Sequence, residues 1–440
     1  MEDHRIMEGL AGITSGQRAL GALSTKERNT MLEHIANALE QQASRIFAAN
    51  GRDLAQAERE GLAQPLYKRL VFDDKKLAAV CEGVRQVAAL EDPIGRVRER
   101  RLLDDHLVLE RIDVPIGVIG MIFESRPDAL VQILSLCLKS GNAIVLKGGR
   151  EALQTNRELI AVIREALGQF PVGSRWIVHM ESREDVGILL GMDDIVDLLI
   201  PRGSNEFVRY IMEHTKIPVL GHADGICALY IDDEADLDMA VAVAVDSKCQ
   251  YPAVCNAVET LLVHASIANG FLPKFKEATT TWPVTIHGDG RTRDVIDCMA
   301  AVGSDWDTEY LDYEIAVKVV DSMEEAIEHI AQHGSGHTDA IVTGNEAKAR
   351  KFLREVDSAD VFWNCSTRFA DGFRYGLGAE VGISTQKIHA RGPVGLDGLV
   401  IGKWVLAGNG HIVDTYAKGK PFLHKELSIE GGSLFGEVDE

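Results

Sequence analysis

Basic residues are in short supply: 46 lysines and arginines face 67 aspartates and glutamates, a formal charge of −21. A surface of that sign repels nucleic-acid phosphates and anionic lipid headgroups, which excludes general binding to either. An anionic cofactor or substrate must therefore meet a local basic pocket. The cysteines, at positions 81, 137, 227, 249, 255, 298 and 365, are odd in number and contain no Cys-x-x-Cys. That excludes a disulfide framework and a zinc ribbon, and fits a reducing cytoplasm. No histidine is spaced with cysteine or carboxylate as a ligand pair, so no metal is expected. No apolar run reaches membrane-span length, and Met1-Glu2-Asp3-His4-Arg5 lacks the basic-then-apolar profile of a signal peptide. The expectation is a soluble, cytoplasmic protein. Fixed-period repeats and low-complexity segments are missing as well. So is the dinucleotide fingerprint Gly-x-Gly-x-x-Gly: Gly376-Leu377-Gly378 and Gly408-Asn409-Gly410 lack the third glycine.

What is present is enough for two cores: 440 residues, 46% of them hydrophobic and 26% charged. Residues 8–90 read as helices, with Leu32, Ile35, Ala36 and Leu39 on one face and Leu77, Val80, Val84 and Val87 on another. Asp92-Pro93-Ile94-Gly95 breaks that pattern. Residues 96–113 then alternate charged and apolar around Asp104-Asp105-His106, which predicts a two-stranded hairpin whose unpaired edges call for a partner. From Pro115 strands alternate with helices, the pattern of a parallel sheet covered by helices. Strands are predicted over 116–123, 142–147, 176–180 and 196–200, and Ser125 and Pro127 start a helix that stops at Gly141. The loops that follow, among them Gly148-Gly149-Arg150 and Pro201-Arg202-Gly203-Ser204-Asn205, leave the carboxyl ends of strands, where open parallel sheets bind ligands. Lys147 is placed there to reach a ribose or phosphate, a solvated surface lysine being the alternative. His222 and His337 read as structural or loop histidines.

One stretch organises the rest. In Gln250-Tyr251-Pro252-Ala253-Val254-Cys255-Asn256-Ala257 a lone thiol sits among small residues. Pro252 interrupts the helix arriving over 236–248 and a strand follows over 259–264, so Cys255 falls on a turn where its sulfur can be exposed. A thiolate accepts an acyl group from an activated donor and surrenders it after reduction. Cys255 is therefore the candidate nucleophile, with backbone N–H groups near Cys255 and Asn256 as oxyanion donors. A buried structural cysteine is the bland alternative.

Lys248, Gln250, Pro252, Val254-Cys255-Asn256-Ala257 and Glu259-Thr260 also carry a resemblance. So do Gly334-Ser335-Gly336-His337-Thr338-Asp339-Ala340, Asn364-Cys365-Ser366-Thr367-Arg368-Phe369 and Gly376-Leu377-Gly378-Ala379-Glu380-Val381-Gly382-Ile383-Ser384-Thr385-Gln386-Lys387, followed by His389-Ala390-Arg391-Gly392-Pro393. Over residues 15–402 the chain resembles the gamma-glutamyl phosphate reductases, or glutamate-5-semialdehyde dehydrogenases, of the aldehyde dehydrogenase superfamily. It departs from them at Asp246, Cys249 and Tyr251, where the family has asparagine, threonine and arginine, and at Cys365, where it has alanine.

The resemblance implies an α/β fold of two parallel-sheet domains plus a small oligomerisation hairpin. Residues 1–97 and 116–226 would bind NADPH, 227–398 would be catalytic, 98–115 with 399–415 would oligomerise, and 416–440 would form a tail. It implies NADPH-dependent reduction of glutamyl 5-phosphate to glutamate 5-semialdehyde with release of phosphate, the second step of proline biosynthesis, through a Cys255 thioester. Ordinary aldehyde dehydrogenases place a glutamate at the position of Val219 to hydrolyse that thioester; its absence fits phosphate as the acyl partner. Lys147, Arg150, Ser204 and Glu309 would contact the cofactor. Arg150 stands where NAD-dependent relatives carry a ribose-binding glutamate, so a cation there favours the 2′-phosphate, with Glu151 leaving the register open by one residue. Arg126, Arg368, Ser384 and Arg391 would meet the substrate, and a homo-oligomer is implied. The rival readings are a non-phosphorylating NAD(P)-dependent aldehyde dehydrogenase and a catalytically silent subunit in transient contact with glutamate 5-kinase.

Overall fold

The computed structural model describes residues 2–62, 64–124, 126–182, 184–222, 224–430 and 433. Ser125, expected at a helix start, lies outside them, as does most of the stretch after 430. Helices Glu2–Gly21, Thr25–Gln41, Ala43–Glu60, Gln64–Leu70 and Asp74–Ala89 open the chain. The second begins with a capping box in which the Ser24 N–H donates to Glu27 Oε2 at 2.8 Å and the Glu27 N–H donates to Ser24 Oγ at 3.3 Å.

A first sheet, entirely parallel, runs in the order Ile177–Met180, Ala143–Gly148, Val118–Phe123, Leu198–Arg202. Both middle strands are buried at every position. That is why they read as continuous apolar runs without alternation. Helix Pro127–Lys139 covers one face and Leu153–Leu167 joins the same core. The predicted strand bounds differ from the observed ones by one or two residues, because hydrogen-bonded pairing rather than apolar content ends a strand.

A second sheet has seven parallel strands in the order Met299–Ala300, Thr285–Gly288, Glu314–Val320, Val258–His264, Cys227–Ile231, Thr338–Val342, Asp360–Trp363. The two-residue side-chain period splits its neighbours between faces. Leu261 and Val263 pack with Phe271 and Phe275 of helix Ala265–Ala278, whereas Leu262 packs with Ile330 of Met323–His333 and Phe352 of Glu346–Glu355. Late in the chain, Val381, Val394, Leu396 and Leu399 join the core of the first sheet. The sequence-drawn boundary at 398 therefore cuts through a segment that packs on the first unit.

The third sheet is antiparallel: Val400–Ala407, Leu107–Pro115, Val97–Asp104, Lys425–Glu426. His106, at φ 56°, turns the hairpin. Across its two strands the buried pair Arg100–Glu110 closes at 2.6 Å. Here the expectation of unpaired hairpin edges is corrected. Leu107–Pro115 is paired along its length with Val400–Ala407, and Val97–Asp104 meets Lys425–Glu426. The outer edge belongs instead to Val400–Ala407, which exposes Ile401, Trp404 and Leu406. Among the described residues no helix is long and apolar enough to cross a membrane.

Candidate active site

In a parallel sheet all strands end on one side and begin on the other, and the candidate residues fall where the first sheet ends and the second begins. Glu124, Lys147 and Arg202 to Ser204 stand at the carboxyl ends of first-sheet strands. Gly225, Cys255, Glu309 and His337 stand just before the strands beginning at Cys227, Val258, Glu314 and Thr338. Asn205 ties the two sides together, since its Nδ2 donates to Asp224 Oδ1 at 3.1 Å and to Glu309 Oε2.

Cys255 sits on the loop between helix Leu237–Cys249 and strand Val258–His264 and is half-buried. The turn is closed by the Ala257 N–H, which donates to Val254 O at 3.1 Å, and by Cys227 Sγ, which donates to Cys255 O at 3.1 Å. Gly225 presses on it from the other side: a Cβ there would fall 2.2 Å from Cys255 O and 2.5 Å from its Cα. No larger residue fits. Burial first, then the Glu309 carboxylate, push the Cys255 thiol up to about 12, against the pull of Arg202 and of the residue's own N–H. At neutral pH the Cys255 side chain is therefore a thiol. In its neighbour Asn256, Nδ2 donates to Ala370 O at 2.7 Å, and Oδ1 is buried without a hydrogen-bond partner among the described residues.

Three arginines surround this sulfur or each other. Arg202 Nη1 donates to Val381 O at 2.9 Å, and burial, then the nearby Arg126, lower its proton affinity while Glu380 and Cys255 act against them. Arg368 is buried and donates through Nε to Gln250 Oε1 at 3.0 Å; burial and then Arg374 lower it, and Cys255 counters. Arg126 precedes helix Pro127–Lys139 and is exposed. Glu380 accepts from the Gly372 N–H at 2.8 Å, with burial holding it above the usual carboxylate range. Arg202 and Glu380 had no role in the sequence reading. The available signal was position, since Arg202 leaves the carboxyl end of a strand.

On the first-sheet side Lys147 is buried and donates to Gly148 O at 2.5 Å, and desolvation lowers its proton affinity. A solvated surface lysine is thus ruled out. A buried ammonium with a carbonyl acceptor is poorly compensated and suits an anionic group. Ser204 is the N-cap of helix Asn205–His214; its N–H donates to Glu124 Oε2 at 3.2 Å and its hydroxyl caps no helix N–H. Glu309 accepts from Asn205 and from the Gly225 N–H, and burial raises it. Arg150, by contrast, points away from this group and pairs at 3.3 Å with Glu60 in the open, its side chain 83% exposed. Glu151 folds over Gly149 instead and acts electrostatically on Lys147.

Two expected substrate contacts already have partners within the chain. Ser384 is fully buried, its Oγ accepting from the Gln386 N–H at 3.2 Å, which leaves no side-chain surface for a ligand. Arg391 Nη1 and Nη2 are committed to Asp357 Oδ1 at 2.9 Å and Asp357 O at 2.7 Å. The two histidines read from sequence as structural stand beside Cys255: ligand atoms of His222, Cys255 and His337 lie within 4.8 Å of one another. Sequence spacing misses them because the three come from separate segments.

Comparison with known proteins decides among the families this geometry admits. Residues 10–296 match the model of the aldehyde dehydrogenase family. Over 427 residues, 97% of the chain and 98% of the relative, it is 56% identical to the gamma-glutamyl phosphate reductase of Ruminiclostridium cellulolyticum. The chain belongs to the gamma-glutamyl phosphate reductase family. The reductase of Pelotomaculum thermopropionicum is also 56% identical, over 94% of the chain and 95% of the relative. The crystal structure of the Thermotoga maritima gamma-glutamyl phosphate reductase superposes with a TM-score of 0.91 at 39% identity, covering 92% of this chain and 99% of that one. As a member of this family the chain is an oxidoreductase of the aldehyde dehydrogenase fold, and Val219 stands in a bridge to Leu199.

Proposed function

We propose that the chain reduces gamma-glutamyl phosphate to glutamate 5-semialdehyde with release of phosphate, the second step of proline biosynthesis, using NADPH. The observation that carries the reading is the half-buried Cys255 thiol beside the half-buried Arg202 and the buried Arg368, with valine at 219. The two cations, with Arg126 beside Arg202, suit an acyl phosphate bearing a distal carboxylate. They also counter the burial that keeps Cys255 protonated, and an anion that engages Asn205 or its surroundings would change the field of Glu309 at the sulfur.

In this reading Cys255 Sγ attacks the acyl carbon, the carbon–oxygen bond to phosphate breaks, the departing phosphate takes up the thiol proton, and a thioester remains on Cys255. The developing oxyanion is met by backbone N–H groups near Cys255 and Asn256. A bound nicotinamide cofactor supplies the hydride that reduces the acyl group. Lys147, Ser204 and Glu309 would hold it, and Arg150 would meet its 2′-phosphate by exchanging an exposed ion pair that stabilises little. Collapse of the reduced adduct frees the aldehyde and returns the Cys255 thiolate. Assembly into a homo-oligomer through the third sheet is part of the proposal, supported by the exposed Ile401, Trp404 and Leu406 on its outer strand.

The test is the reverse reaction. Reduction of NADP+ with glutamate 5-semialdehyde should require inorganic phosphate. Equal rates with and without phosphate would favour a hydrolytic aldehyde dehydrogenase.

A further inference from the structure

We propose that Cys255, His222 and His337 form a binding site for a thiophilic divalent cation of the Zn2+ type, which closes the active site reversibly. The site stands on geometry alone; that its occupation stops catalysis rests on Cys255 being the nucleophile proposed above.

The three residues offer one sulfur and two imidazole nitrogens within 4.8 Å of one another. Around a tetrahedral zinc ion with bonds of about 2.0–2.3 Å, neighbouring ligand atoms stand roughly 3.3–3.6 Å apart. Side-chain shifts of about 1 Å therefore close the site. The rings are already oriented for it. His222 donates from Nδ1 to Ile383 O at 2.8 Å, which leaves Nε2 with a free lone pair. His337 Nδ1 lies 2.8 Å from Thr338 Oγ1 and 3.9 Å from Cys227 Sγ; with the ring donating to Thr338, Nε2 keeps its lone pair. Its Nε2 is buried without a hydrogen-bond partner among the described residues, on a side chain with no exposed surface. Outer hydrogen bonds of this kind fix the tautomer and direction of histidine ligands. The two rings meet edge to face with centroids 4.8 Å apart.

Around the sulfur stand the carboxylates of Glu309 and Glu380 and the cations Arg202 and Arg368. Binding breaks the Cys255 S–H bond, sends its proton to the buffer and forms a sulfur–metal bond. Nothing is oxidised or reduced. The fourth position stays open to water. A thiolate and two imidazoles select soft or borderline ions, and Mg2+ or Ca2+, which need oxygen ligands, are excluded. With its lone pair held by the metal, the sulfur cannot attack an acyl carbon.

The experiment uses the full chain stripped with a chelator, with Zn2+ titrated calorimetrically and Co2+ followed by its absorption spectrum. Asn at 222 can retain the donation to Ile383 O, so His222→Asn removes a ligand with little else, and Cys255→Ser removes the sulfur. The expected result is one ion per chain, a thiolate-to-cobalt charge-transfer band lost in Cys255→Ser, and Zn2+ affinity at least tenfold weaker in each variant. Wild-type turnover should fall with Zn2+ and return with chelator. Absence of saturable binding, or an affinity unchanged in both variants, would overturn the site. The cobalt spectrum needs no turnover, so a chain that binds the ion yet fails to reduce gamma-glutamyl phosphate would refute the proposed function and leave the site standing.

Discussion

Lys248 Nζ and Glu259 Oε2 lie 2.6 Å apart, and neither side chain has any exposed surface. The pair joins the helix before the nucleophile loop to the strand after it, and Glu259 Oε1 also accepts from the Leu311 N–H at 3.4 Å. Burial pushes the Glu259 carboxyl up to about 7, with Lys248 pulling it down. Removing one partner of such a pair strands a buried charge. Lys248→Met should therefore cost about 3–5 kcal/mol in urea unfolding. Lys248→Met with Glu259→Leu should recover most of that loss. A single variant within 1 kcal/mol of wild type would show that the pair does not brace the loop.

Gly225 controls where the sulfur stands. Its substitution by alanine puts a Cβ inside the Cys255 backbone, so the loop must move. A displacement near 1 Å at a reacting atom lowers rate by about 100-fold. Gly225→Ala should show that drop in kcat together with a loss of stability of about 1–3 kcal/mol in urea unfolding. An unaltered kcat would mean the loop gives way harmlessly.

Much of this was legible from the chain, and the rest was not for physical reasons. Cys255 could be found because Pro252 and the apolar strand bracket it, a local pattern. The hairpin was found from alternation and its Asp105-His106 turn, but its pairing with Val400–Ala407 joins segments nearly three hundred positions apart, so its edges looked free. Lys147 was placed correctly at a strand end, yet whether the side chain is solvated depends on what packs over it. Arg391 and Ser384 sit in the family signatures, but their partners, Asp357 and Gln386, decide what they do. His222 and His337 were set aside because ligand spacing along a chain says nothing about residues joined by a sheet crossover.

The protonated state of Cys255 has a sign that can be checked. A thiol whose proton affinity is raised to about 12 gains thiolate as pH rises and holds almost none at neutrality. Alkylation of Cys255 by iodoacetamide should climb by about tenfold per pH unit from 7 to 10 without a plateau. Glu309→Gln removes the foremost charge holding the proton on, so the variant should alkylate faster at every pH in that range. A plateau near neutral pH in the wild type would show a resting thiolate.

In the proposed reading cofactor choice turns on two adjacent residues. Arg150 is exposed and loosely paired with Glu60, and Glu151 lies beside Lys147. A charge-assisted bond to a 2′-phosphate contributes about 1.5–3 kcal/mol, roughly tenfold or more in affinity. Arg150→Glu should therefore weaken NADPH more than NADH and shift the ratio of their kcat/KM values toward NADH. A ratio that stays put would move the phosphate contact to Lys147.

The central claim is that a thioester on Cys255 carries the acyl group, and turnover of Cys255→Ser measured beside a cofactor titration tests it most directly. A serine hydroxyl is far less ionised than a thiol, so reduction should fall by at least about 1,000-fold while cofactor affinity and the folded state stay close to wild type. Turnover within tenfold of wild type, with the cofactor bound normally, would remove Cys255 from the mechanism.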